Sequence, residues 1–336
     1  MRKTIAKATF PVQVDMLLFF RFMKRISHPI SALLLAVFAC AAEANAHAQT
    51  ACLRVQNGKS AAYAVASPTE AGHVLEWHPD GSETNRFWKS PFPDRLLYKW
   101  RNVGGERTWI GPQTRWQDFS AENLAWPPPS FLETVPFDIS PESLPLQGSA
   151  TLQTVGNTPL DCRRVVSLST NGTLSVRASF HSNAASGPQP ISLADYQIWS
   201  VTQLPFPLSA TVRLADAKRI ENGVLGSDAV IPHPIRDPEN KTAFFDLENI
   251  RLPPSGGAKC YLDGDAFILS YPDGKLTITQ TESAPLPEDE VPYRAQFYCG
   301  GHVDIPGPQG RYIEVEFAGR ADSPMTVQFQ WEPVEP

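Results

Sequence analysis

Stretches in which apolar and polar residues alternate one for one recur along this chain, and they restrict it to strands with one buried face. Met325, Val327, Phe329 and Trp331 fall on one side of such a stretch, with Thr326, Gln328 and Gln330 on the other. Leu174, Val176, Ala178 and Phe180 alternate with Ser175, Arg177 and Ser179, and Ile313, Val315 and Phe317 alternate with Tyr312, Glu314 and Glu316. Successive side chains of a strand point to opposite faces, so a period of two predicts sheets rather than helices. Asn171-Gly172 separates residues 164–169 from 173–180, and Asp273-Gly274 separates 267–271 from 276–281. Both dipeptides supply the positive φ angles of a two-residue hairpin turn. Prolines cluster at 127–129, 232–238 and 253–254, where they mark loops or protected edges. Only 214–220 and 118–124 carry a brief helical pattern. The expected fold class is all-β, a large antiparallel β-sandwich built as a single domain over residues 47–336.

The N-terminus follows a different pattern. Met23-Lys24-Arg25, the apolar run 31–39 and Ala44-Asn45-Ala46 form the basic segment, apolar core and small-residue cleavage site of a secretory signal peptide. Residues 1–46 are therefore expected to be removed. A true start at Met23 accounts for the preceding 22 residues, in which Met16-Leu17-Leu18-Phe19-Phe20 comes before the charges. The apolar stretch 30–42 is shorter than the roughly 20 residues a spanning helix needs, so no stable membrane span is expected after cleavage. A lipid anchor at Cys40 is the lesser alternative. The mature protein is expected to be periplasmic or secreted.

Six of the 29 Lys and Arg residues and two of the 35 Asp and Glu residues precede position 47, which leaves the mature chain at −10 with His neutral. That balance argues against nucleic acid, whose partners carry a basic face. Cys52, Cys162, Cys260 and Cys299 remain, without C-x-x-C spacing. In an oxidising compartment they read as two disulfides, with Cys52–Cys162 and Cys260–Cys299 the expected pairing among three connectivities. No metal or cofactor is expected. H-E-x-x-H, G-x-S-x-G and a Gly-rich phosphate loop are all missing, and Asp263-Gly264-Asp265 lacks the further oxygen ligands of a calcium loop.

Aromatic residues are densest from Trp77 to Trp126, centred on Arg107-Thr108-Trp109-Ile110-Gly111-Pro112 and Trp116. Indole faces stack on the C–H side of a pyranose and guanidinium forks bond hydroxyls, so Trp with Arg suits a sugar. The alternative is that the rings fill the space between sheets.

Gly72-His73-Val74-Leu75, the turn 80–85, Arg107 to Pro112, Trp126-Pro127-Pro128, residues 198–204 and the strand 312–317 together resemble an uncharacterised bacterial family related to galactose mutarotases. The resemblance implies a mutarotase-like supersandwich with a sugar-sized cleft on one sheet. It also implies a carboxylate base on a late strand, where Glu314 and Glu316 stand, and an imidazole acid across the sugar. Proton transfer to and from the C1 hydroxyl and ring oxygen needs both groups. Where the family places that histidine this chain has Trp199. His302, after Gly300-Gly301, is the best substitute; His181 reads as a loop residue and His233 as structural.

The resulting expectation is an exported carbohydrate-binding protein. Arg107, Trp109, Trp116, Trp199 and Gln203 form its binding surface, with Trp199 and Gln203 on one strand face, and Glu314, Glu316 and His302 are the candidate reacting groups. The alternatives are a sugar-modifying enzyme, either an aldose epimerase or a lyase-type proton shuttle, and a non-catalytic envelope protein whose aromatics are core. Protein recovered from an expressing bacterium is expected to begin at His47 by intact mass; a mature chain that retains Met23 contradicts the signal assignment.

Overall fold

The computed structural model describes residues 50–334 except 58–59, 80–82, 95, 98–99, 120–125, 140–148, 155–158, 184–190, 215–219, 226–233, 249, 251–255, 287–293 and 302–309. In chain order the first strands are β1 (Ala51–Asn57), β2 (Ser60–Ser67), β3 (His73–His78), β4 (Leu96–Leu97), β5 (Trp100–Arg101), β6 (Glu106–Gly111) and β7 (Phe137–Ile139). Next come β8 (Ser149–Thr154), β9 (Leu160–Leu168), β10 (Leu174–Ser182), β11 (Gln197–Pro205), β12 (Ser209–Leu214), β13 (Ile220–Leu225) and β14 (Ile235–Asp237). The last are β15 (Thr242–Asp246), β16 (Gly256–Leu262), β17 (Gly264–Tyr271), β18 (Gly274–Glu282), β19 (Ala295–Gly301), β20 (Arg311–Arg320) and β21 (Met325–Pro333).

Two large antiparallel sheets result. Among the described residues one has nine strands in the order β1-β2-β3-β6-β11-β20-β19-β16-β13; the other has ten in the order β14-β15-β12-β17-β18-β21-β10-β9-β8-β7. The fold is an all-β sandwich. Its interior is formed where the alternating apolar faces meet: Phe329 of β21 lies 6.0 Å from Trp77 and 5.3 Å from Phe87, while Phe267 of β17 stacks on Phe297 of β19 at 5.9 Å. Met325, Val327, Phe329 and Trp331 are all buried, as their alternation predicts, and so are Leu174, Val176, Ala178 and Phe180.

Both hairpins form, but not as two-residue turns at the expected dipeptides: residues 169–173 join β9 to β10 around Asn171-Gly172, and Pro272-Asp273 joins β17 to β18, with Gly274 already paired in β18 and not at positive φ. Gly172 has φ of +80°, and a Cβ there would sit 2.1 Å from the Pro79 carbonyl oxygen. Trp77 Nε1 donates to the Gly172 carbonyl at 3.0 Å, which ties this turn to β3 of the opposite sheet. Of the two helical patterns, 118–124 meets the end of a 3-10 helix at Gln113–Phe119. Of the other, Leu214 closes β12 and Ile220 opens β13, and 215–219 lie outside the described residues.

A charge pair crosses the interior. Glu106 of β6 and Arg164 of β9 are both buried, and Arg164 donates to the Glu106 carboxylate and to the Gly72 carbonyl. Ser200 of β11 adds a hydrogen bond to Glu106 at 3.3 Å. Burial pushes the Glu106 carboxyl upward and Arg164 opposes it. Removing one member of such a pair strands a charge.

Neither expected disulfide is formed. Cys52 points outward from β1 whereas Cys162 faces the core of β9, so their side chains diverge. Cys260 and Cys299 both face the interior on neighbouring strands, but Cys299 is opposite Ala258 and Cys260 is opposite Phe297. Such diagonal positions stand about 7–8 Å apart, beyond the roughly 4.4–6.8 Å between α-carbons of a disulfide. Burial pushes the Cys162 and Cys260 thiols up to about 12. Residues 1–46, with Met23 and Cys40, lie outside the described residues, and no helix among the described residues is long and apolar enough to cross a membrane.

Arg164→Met should lower unfolding free energy by about 3–5 kcal/mol in urea titrations, while the double variant with Glu106→Gln recovers much of that loss. A double variant no more stable than Arg164→Met would show that the pair is not coupled.

Candidate functional site

Strand register determines which side chains share the outer face of the nine-stranded sheet. Arg107 is opposite Val201 and Trp109 is opposite Trp199; Gln203 is opposite Glu314 and Val201 is opposite Glu316. Continuing across β19 and β16, Tyr298 faces Glu314, Gln296 faces Glu316, Lys259 faces Tyr298 and Tyr261 faces Gln296. Opposed residues of antiparallel strands point the same way. Arg107, Trp109, Trp199, Gln203, Glu314 and Glu316 therefore lie on one side of one sheet.

They do not form an open basin of rings. Trp116 lies in the 3-10 helix laid over this face, donates to the Ile110 carbonyl at 2.6 Å, and packs 5.4 Å from Trp109 and 6.3 Å from Trp199. Trp109, Trp116 and Trp199 are all buried, and within this cluster Trp126 alone is substantially exposed, at 36%. The expectation that Trp109 and Trp116 offer stacking platforms is thus corrected. An edge-to-face cluster buries more apolar ring area than an open row.

Arg107 is also fully buried, with its fork donating to Asn102 Oδ1 (3.1 Å), the Gly104 carbonyl (3.1 Å) and Gln203 Oε1 (2.8 Å). Gln203, its carbonyl held this way, turns its amide outward, and Nε2 donates to Glu314 Oε1 at 2.6 Å. Arg107 orients the residue that orients Glu314. Behind it, Glu133 accepts from Trp109 Nε1 and from Trp100 Nε1 (3.1 Å), with Arg107 Nη1 and His73 Nε2 each 3.9 Å away. Burial first, and then the positive charges of Arg107 and Arg164, push His73 well below its ordinary value, so it stays neutral.

Glu316 is the more unusual carboxylate. It is 1% exposed, and Lys259 Nζ contacts its Oε2 at 2.8 Å. Its pKa is raised to about 7, chiefly by burial; Lys259 opposes the shift, and the charge of Glu314 and a hydrogen bond with it add to it. The Lys259 ammonium lies 5.0 Å from the Trp199 ring centre and 5.9 Å from Tyr261. Around this pair the face is less covered: Glu314, Tyr261 and Tyr298 are each half-buried. Tyr298 lies across Gly257 and Gly300, where a Cβ would meet its ring at 2.4 and 2.2 Å, so both glycines are required for that ring position. Tyr312 packs 6.1 Å from Tyr298 and 4.6 Å from Trp88. Several buried donors on the same face, among them Trp199 Nε1, Gln296 Nε2, Gln197 Nε2 and Arg107 Nη1, have no hydrogen-bond partner among the described residues.

Lys259, Tyr261, Gln296 and Tyr298 were not singled out from the sequence. The available signal was the alternation of Lys259 and Tyr261 with the buried Ala258, Cys260 and Leu262. Glu133, after a short 3-10 turn, carried none. His302 lies outside the described residues.

No protein-family model matches this chain, and no curated protein matches it. Among solved structures, a heparinase III with methylated lysines aligns with 85% of this chain at a TM-score of 0.35 and 12% identity. The alignment covers 34% of that protein, so this chain spans about a third of its length.

Because burial favours the protonated form of Glu316, the native state keeps a proton that the unfolded chain releases above about 4.5. This stabilisation is complete below pH 4.5 and is lost as pH rises through 7, a change on the order of 3 kcal/mol. Urea midpoints measured from pH 4.5 to 8 should fall in the wild type and flatten in Glu316→Gln; parallel curves for the two proteins would refute the assignment.

Proposed function

We propose that this is an exported carbohydrate-binding protein with a mutarotase-like sandwich, whose sugar site is the half-covered part of the outer face around Glu314, Lys259, Tyr261 and Tyr298. The observation that carries this reading is the convergence of Arg107, Gln203, Glu314, Glu316 and Lys259 on one face with buried donors, Trp199 Nε1 and Gln296 Nε2 among them, that have no partner among the described residues. A sugar hydroxyl accepts and donates at once, so it satisfies both an orphaned N–H and a carboxylate. Half-buried tyrosine rings beside those groups supply an apolar surface for the C–H side of a pyranose. Residues 1–46 direct the chain to the periplasm or beyond, and the acidic mature surface suits a protein released there.

The reading of the site as catalytic is favoured by a specific observation, the buried Glu316 carboxyl 2.8 Å from the Lys259 ammonium and two residues from Glu314 on the same strand face; burial there raises its proton affinity. Carboxyl groups used in proton transfer at neutral pH are tuned in this way.

Titration with free hexoses should quench tryptophan fluorescence, because Trp199 borders the site. Tyr261→Ala should weaken that response at least tenfold in Kd with Tm unchanged within about 2 °C, as expected for a half-buried contact residue. An unaltered Kd in Tyr261→Ala, or no response to any hexose in the wild type, would remove the sugar site from this face.

A further inference from the structure

We propose that the ligand of this face is an N-acetylated amino sugar, whose acetamido oxygen accepts from Trp199 Nε1 and Gln296 Nε2 beneath the surface. The inference rests on the reading of this face as a sugar site and deepens it by naming the class of sugar. It concerns recognition and assigns no reaction.

Both donors border the same ion pair. Gln296 of β19 stands directly opposite Glu316 of β20. Lys259 Nζ, 2.8 Å from Glu316 Oε2, lies 5.0 Å from the centre of the Trp199 ring. Trp199 is 5% exposed and Gln296 1%, and neither N–H has a partner among the described residues. A donor buried without an acceptor is costly, so a ligand that supplies one gains from both. The other unpaired donors of this face lie elsewhere. Arg107 Nη1 is 3.9 Å from Glu133 Oε2. Gln197 borders Gly111 together with the Cε3 edge of Trp199, the side of the indole away from Nε1.

Depth selects the part of a sugar that reaches them. Tyr261, directly opposite Gln296, and Tyr298, directly opposite Lys259, are half-buried, so a pyranose resting on either ring stays at the surface. A hydroxyl sits directly on the pyranose carbon, whereas an acetamido group carries its carbonyl oxygen farther out along an amide, toward the buried donors. That oxygen has two lone pairs and no hydrogen, so it accepts from both without adding a donor of its own. A carboxylate matches the same two donors but brings a negative charge beside Glu314 and Glu316, and the Lys259 ammonium is already committed to Glu316. The acetyl methyl is apolar and suits the indole of Trp199. Glu314, half-buried and held by Gln203 Nε2 at 2.6 Å, remains for hydroxyls of the ring.

The test measures Kd by calorimetry on the mature protein with N-acetylglucosamine, N-acetylgalactosamine, glucose, galactose and glucuronate. The wild type should bind an acetamido sugar at least about tenfold more tightly than the matching plain hexose and than glucuronate, the scale of a buried donor gaining its acceptor. Trp199→Phe keeps an aromatic ring and removes the N–H, and Gln296→Leu removes the amide at similar volume. Each should weaken the acetamido sugar about tenfold while the Kd of the plain hexose changes by less than about threefold. The comparison among sugars needs the wild type alone, so it decides the matter even where a variant does not fold. Equal affinity for acetamido sugars and hexoses overturns the inference and leaves the sugar-site reading standing, as does a preference for glucuronate. An acetamido preference that survives in both folded variants overturns the assignment of its donors. Absence of binding to all of these sugars removes the sugar-site reading as well.

Discussion

Glu106 and Arg107 are consecutive residues of one strand, both are charged, and both are buried on opposite faces of the same sheet. A buried charge persists only if it is paired and hydrogen-bonded, so each residue imposes an arrangement on its own side. Between the sheets, Glu106 requires Arg164 from the opposing layer, and with it the alignment of β9 against β6. On the outer side, Arg107 requires Asn102, Gly104 and Gln203, which position the 102–104 turn and the far end of β11. Strand β11 lies between these demands and is buried from Gln197 to Leu204 on both faces. The interior of the sandwich and the candidate site thus share one central strand and one pair of neighbouring charges.

That arrangement separates two roles that the aromatic-rich region merges. Trp109, Trp116 and Trp199 pack edge to face, and their burial makes them a support for Arg107 and Glu133. Further along the sheet, on β20, β19 and β16, Glu314, Tyr261 and Tyr298 are less covered, beside the buried pair of Glu316 and Lys259.

Much of the sandwich was legible in the sequence because strand alternation and turn chemistry are local. The hairpins near Asn171-Gly172 and Asp273-Gly274 were marked by their turn residues, although only Gly172 of the four takes a positive φ, and the faces of 174–180 and 325–331 followed from the period of two. The common face of Glu314 and Glu316 was legible for the same reason. The helical pattern at 214–220 falls almost wholly outside the described residues. Disulfides misled because cysteine counts contain no information about which way a side chain turns. Cys52 and Cys162 belong to different sheets and point apart, and Cys260 and Cys299 are one diagonal step out of opposition.

By itself the sequence determined the all-β class, the hairpins, and the faces on which Arg107, Trp199, Gln203, Glu314 and Glu316 lie within their own strands. These are properties of a backbone whose side chains alternate, and they need no partner. Only the tertiary structure decided that β6, β11, β20, β19 and β16 are neighbours in that order. Their adjacency placed Lys259 against Glu316, 57 residues away in the chain, and closed the tryptophans into a covered cluster. Register between distant strands is a product of the whole sheet, set by the requirement that every buried charge and ring find its counterpart at once.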